Sequence, residues 1–149
     1  MTTSRQRPLW RCPRCGHEFV SRNLSHSCGR HSIDDHFAGK PEAVRRLFDA
    51  LVRFVSQAGP STCYAQKTRI VFQTRGRFLA VTPRREWLAC HLWLKRRLSS
   101  PRYHRIDVLA GRDFVHHFRL KDTAELDEEL LAHVRESRRV GAQERPRPQ

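Results

Sequence analysis

The sequence predicts an α+β fold in which an antiparallel sheet of about five strands has one helix before it and one after it. Three features predict it. An apolar stripe of helical period follows Pro41, short β-branched and aromatic runs fill the middle, and a second helical stripe closes the chain. At 149 residues the chain has room for one ordinary domain, or for a small one plus an appendage. A hydrophobic share of 38% is enough for a core and excludes a wholly disordered chain.

The first helix is expected from Pro41 to about Ala58. Proline suits a first helical turn, where its missing N–H leaves nothing unpaired. Val44, Leu47, Phe48, Leu51, Val55 and Ala58 then fall on one face, and Gly59-Pro60 stops the helix. Arg69 to Thr74 and Arg77 to Thr82 read as strands around an Arg75-Gly76 turn. Trp87 to Leu94 reads as a strand, although its length also permits a helix. As a strand it places Trp87, Ala89, His91 and Trp93 on one face and Leu88, Cys90, Leu92 and Leu94 on the other. Ser99-Ser100-Pro101 breaks the chain, and His104 to Leu109 and Phe114 to Leu120 form a second hairpin. The last helix is expected to start near Asp122 or Thr123, where Asp122 and Glu125 are spaced as a capping box. Leu126, Leu130, Leu131 and Val134 are its buried side, with acidic residues early and Arg135, Arg138 and Arg139 late, as the helix dipole favours.

Residues 10–36 are dense in Cys and His and poor in large apolar residues, so they need a staple to fold. Cys12-Pro13-Arg14-Cys15-Gly16 supplies half of one. A Cys-x-x-Cys pair around a tight turn aims two thiolates at one cation, and His26 and Cys28 complete a tetrahedral set suited to a structural Zn2+. The segment therefore reads as a small zinc finger, with Phe19 and Leu24 as its miniature core. His17, His31 and His36 compete for the second pair, and His36 fits better in the lead to the main domain, where Ser32 and Asp35 are spaced to cap a short helical turn. A redox dithiol lacks the flanking strand and helix that lower a thiol pKa. The expected organisation is a flexible lead-in over 1–9, the finger over 10–36, the α+β domain over 37–139 and a disordered tail over 140–149.

The run Trp10-x-Cys12-Pro13-x-Cys15-Gly16, then His26-Ser27-Cys28 and His36-Phe37-x-Gly39-Lys40-Pro41, resembles the N-terminal part of bacterial proteins carrying domain of unknown function 5655. Gly59-Pro60, Lys67 with Ile70 and Phe72, Arg77-Phe78, Leu94-Lys95-Arg96-Arg97 and His117-Phe118-Arg119-Leu120 extend the resemblance over roughly residues 10–138. It implies an α+β fold and a bacterial origin, and it brings no established activity.

The formal charge is +14, and most of it lies between residues 41 and 100, where 12 basic residues face 3 acidic ones. Such an excess attracts phosphates or an acidic partner over long range. Lys67, Arg69, Arg75, Arg77, Arg84, Arg85, Lys95, Arg96 and Arg97 are the candidate nucleic-acid contacts, with Trp87, Trp93 or Tyr103 available for base stacking. The resulting expectation is a non-enzymatic zinc-binding protein with a basic surface for nucleic acid and low sequence specificity. Its rivals are a protein-interaction adaptor using the finger and a small-ligand or enzymatic domain with a site around Lys67, His91 and His117. The sequence contains no Gly-rich phosphate loop, catalytic-triad order or paired-carboxylate motif in support of an enzyme. Cys63 and Cys90 read as small buried apolar residues. No apolar run approaches the ~20 residues of a membrane span, and without an export signal a cytoplasmic location is expected.

Overall fold

The structure, a computed structural model, describes residues 8–16, 18–19 and 31–143. Two strands, β1 (Trp10–Arg11) and β2 (Glu18–Phe19), form a small antiparallel hairpin. A 3₁₀ turn over Asp34–Phe37 leads to helix α1 (Glu42–Ser56). Six strands follow: β3 (Thr62–Ala65), β4 (Ile70–Gln73), β5 (Arg77–Pro83), β6 (Leu88–Leu94), β7 (Arg105–Leu109) and β8 (Asp113–Leu120). Helix α2 (Glu128–Gly141) is the last element. The six strands make one antiparallel sheet in the order β3-β4-β5-β6-β8-β7.

The α+β expectation therefore holds, with six strands rather than five. The additional strand is β3. Its residues lack a clean period-2 alternation, and it exists because it covers the edge of β4, pairing Cys63 with Phe72 and Ala65 with Ile70.

Both helices pack on one face of the sheet. Val44, Leu47, Phe48, Leu51 and Val55 of α1 and Leu130, Leu131 and Val134 of α2 meet Ile70, Phe72, Leu79, Val81, Leu88, Leu92, Leu94 and Phe118 in a single core. Strand β6 alternates strictly, its even-numbered residues buried and its odd-numbered ones half-buried, as a strand with one covered face requires. A bulge opposite Phe72 and Gln73 lets the consecutive residues Phe78 and Leu79 both join this core. Ser137 of α2 locks the layers together, its hydroxyl lying 2.6 Å from the Phe78 carbonyl and 2.8 Å from that of Trp93.

The last helix starts later than the sequence suggests. The Asp122/Glu125 capping box forms, but it closes only a 3₁₀ turn over Thr123–Glu125. Asp127 is the cap of α2, accepting the Leu130 N–H at 2.9 Å. Ser32 and Asp35 do cap their turn reciprocally, at 3.2 and 3.1 Å. Helix α2 runs to Gly141, two residues past the expected end of the domain. Residues 1–7 and 144–149, most of the expected lead-in and tail, lie outside the described residues. Among the described residues no helix is long and apolar enough to cross a membrane.

Candidate nucleic-acid interface

The described residues cover the sheet face away from the helices only in part. The β1–β2 hairpin lies over its β3–β5 half, where Cys12 and Phe19 pack with Tyr64, Val71 and Ala80, and Trp10, Cys15 and Trp93 flank them. Phe19 meets the Tyr64 ring edge-on at 6.3 Å, and Gln73 donates its amide hydrogen to the Glu18 carbonyl. Phe19 thus buries itself against the sheet; its expected partner, Leu24, lies outside the described residues. Below it, Tyr64 donates to the Gln73 side-chain oxygen at 2.6 Å and accepts from Arg77 at 2.9 Å, a connected polar group under the hairpin.

Of the expected zinc ligands, Cys12 and Cys15 are described, and His26 and Cys28 lie outside the described residues. The two cysteines share a turn closed by the Gly16 N–H on the Cys12 carbonyl at 2.8 Å. Gly16 has φ +77°, a conformation in which a side chain would be strained. Such a closed turn between two short strands suits a thiolate pair on one metal ion. Among the described residues no three Cys, His, Asp or Glu side chains gather as a metal group. His36 lies in the lead to the main domain, its Nε2 donating to the Gln66 carbonyl at 2.7 Å.

Among the described residues nothing covers the other half of this face, over β6, β8 and β7. The register aligns Ala80, His91, His117 and Arg105 in one row across it, and Ala89 with Arg119 in the next. The His91 and His117 rings lie 5.2 Å apart. Arg69 reaches His91 Nε2 at 3.3 Å, and Asp107 holds His117 Nε2 at 2.9 Å. Burial, with the neighbouring Arg69 charge second and His117 third, pushes the His91 pKa down from 6.5 to about 4, so its imidazole is neutral at physiological pH. Burial also lowers Arg69, and nearby Arg77 adds to the effect. Asp107 is held below the usual carboxylate range by its hydrogen bond from Arg105 and, less strongly, by that with His117.

The nine basic candidates do not form one patch. Strand pairing places Lys67, Arg69, Arg84 and Arg85 at one end of the sheet, in or beside the β3–β4 and β5–β6 turns. Arg75, Arg77, Lys95, Arg96 and Arg97 fall at the opposite end. There Lys95 pairs with Asp113, Arg96 with Glu136 at 2.8 Å, and Arg75 bonds the Gln143 side chain at 3.0 Å. Arg97 lies over the Phe114 ring at 5.8 Å. The first end gains basic residues that the sequence reading left out, Arg119 and Lys121 from β8 and its exit. Among the described residues no carboxylate pairs with Lys67, Arg84, Arg85, Arg119 or Lys121. The signal for Arg119 was its two-residue spacing from His117, but using it required knowing that β8 pairs with β6.

Between these residues lies a cavity of about 390 Å³ lined by Arg84, Trp87, Ala89, Cys90, His104, His117, Phe118 and Arg119. Ala89 explains it: a methyl group between larger neighbours leaves a dent in the open face. The cavity does not include Lys67 or His91, so the site imagined around Lys67, His91 and His117 is brought only partly together. Of the two tryptophans on β6's open side, Trp93 packs beside the hairpin cluster, whereas Trp87 lines the cavity with the Arg119 guanidinium 5.4 Å from its ring centre. Tyr103 is buried, its hydroxyl 2.6 Å from His133 Nδ1, and takes no part. Cys63 and Cys90 are thiols held protonated by burial, which pushes Cys63 up to about 12 and Cys90 higher still. No curated protein and no solved structure matches the chain. The family described as Domain of unknown function (DUF5655) matches residues 33–138, a span that takes in α1, all six strands of the sheet and most of α2, and the chain belongs to that family.

Proposed function

We propose that the protein binds nucleic acid through backbone phosphates, with low sequence specificity and without altering it chemically. In this reading a structural zinc ion on Cys12, Cys15, His26 and Cys28 fixes the hairpin that roofs half of the open sheet face. What supports the binding surface is the uneven neutralisation of charge. One end of the sheet pairs Lys95 with Asp113 and Arg96 with Glu136, and the other leaves Lys67, Arg84, Arg85, Arg119 and Lys121 without carboxylates among the described residues. A cation kept exposed and unpaired costs little in water and remains available to displace counterions from a polyanion. The six strands spread this end over about 24 Å, from five interstrand spacings of ~4.8 Å, a span that meets several successive phosphates.

Retention on an immobilised nucleic acid tests this. The protein should bind at low salt, elute steeply as salt approaches the physiological range, and be displaced by free polyanion. Retention indifferent to salt and to competing polyanion would sink the reading.

A further inference from the structure

The cavity beside Trp87 has features that general phosphate attraction does not require. A surface that only tracks phosphates needs cations, not an indentation or an aromatic wall. Here the small side chain of Ala89 forms the floor, Trp87 one wall, His104 and His117 another, and Arg84 and Arg119 the rim. Its volume of about 390 Å³ sits at the lower end of small-molecule sites, ~300–1,000 Å³, so it suits one base with its sugar and not a paired duplex. Trp87 is half-buried with the Arg119 guanidinium 5.4 Å from its ring centre, a cation–aromatic pair of the kind on which a base can stack. The His104 pKa is lowered by burial first and then by Arg119, His117 and Arg105.

We propose that this dent is a subsite for one unpaired nucleotide, its base stacked on the Trp87–Arg119 pair and its phosphate held by Arg84 and the Arg119 side of the rim. This inference rests on the proposed nucleic-acid reading and deepens it, making single strands the preferred ligand. In a duplex the faces of the bases are occupied by their neighbours, so only the phosphates remain to be bound.

Tryptophan emission of the full-length protein, titrated with a mixed-sequence single-stranded oligonucleotide, its duplex and inorganic polyphosphate, tests the proposal. Single strand should quench emission and bind at least about tenfold tighter than duplex, and polyphosphate should bind without quenching. Trp87→Leu should weaken single-strand binding roughly tenfold or more and leave polyphosphate binding unchanged. Ala89→Leu fills the dent from its partly exposed floor without touching a charge and should have the same selective effect, so it serves if Trp87→Leu fails to fold. Equal affinity for duplex and single strand, or single-strand binding unchanged in Ala89→Leu, would overturn the subsite while leaving the phosphate surface standing. Failure of every polyanion to bind would overturn both.

Discussion

Acidification should destabilise this fold through His91, and the size of the effect follows from its surroundings. The imidazole is half-buried between Arg69, His117 and Trp93, with Asp107 the nearby acid, and its pKa falls from 6.5 to about 4. A histidine whose folded pKa is depressed binds its proton more readily in the unfolded chain, so stability falls as pH drops below 6.5 and levels off near 4. Integrating between those two values gives a loss of about 2 kcal/mol from pH 8 to pH 5. His116 and His133 are displaced in the same direction, mainly by burial, and add to the total. His91→Gln keeps a polar side chain beside Arg69 and removes the titration. Urea denaturation of both proteins at pH 8 and pH 5, followed by tryptophan emission, isolates the term, because proton-driven loss of any bound metal is common to both. The variant should lose about 2 kcal/mol less than the parent over that interval. Equal losses would mean that His91 takes up its proton as easily in the fold as out of it, and the account of its burial would be wrong.

Two further perturbations follow from the packing and from the proposed metal. Gly141 closes α2 against the β4–β5 turn, its carbonyl accepting from the Gly76 N–H at 2.7 Å, and an added Cβ would sit 2.8 Å from the Gly76 carbonyl oxygen and 3.0 Å from Phe78 Cβ. Gly141→Ala should therefore cost about 1–3 kcal/mol, read as a lower urea midpoint at unchanged m-value; an unchanged midpoint would contradict the close approach. Zinc removal by a strong chelator should leave the far-ultraviolet signal of the α+β domain in place while exposing Phe19 and Trp10 from the hairpin cluster. Purified protein with less than half an equivalent of zinc, or tryptophan emission indifferent to the chelator, would contradict the proposed ion.

Much of the fold was legible because its elements carry their own period. The stripe from Val44 to Val55 has one buried face whatever it packs against, and the alternation of Leu88 to Leu94 needs only one covered face. Other features depended on partners. Thr62 to Ala65 becomes a strand because β4 presents an edge to it, a reason found outside its own four residues. Asp122 and Asp127 both make good caps five positions apart, and local sequence does not choose between a single 3₁₀ turn and the start of a long helix. The site was less legible still. Counting arginines found the charge of the middle third, but it neither set Arg84 and Arg85, before β6, apart from Lys95 and Arg96, at the other end of that strand, nor showed the strand order. The same order brings Arg119 from a different hairpin to the first pair's end, and it makes Ala89 a floor rather than an unremarkable strand residue.

The salt dependence of nucleic-acid affinity, compared between charge-neutralised variants of the two sheet ends, tests the central claim most directly. Arg85→Gln with Lys121→Gln removes two unpaired cations outside the dent, and Lys95→Gln with Arg96→Gln removes two that already face Asp113 and Glu136. The first pair should flatten the slope of log affinity against log salt by about 1.4–1.8, from ~0.7–0.9 per phosphate contact, and the second should leave it unchanged. Equal slopes in the two double variants would contradict a binding surface confined to one end of the sheet.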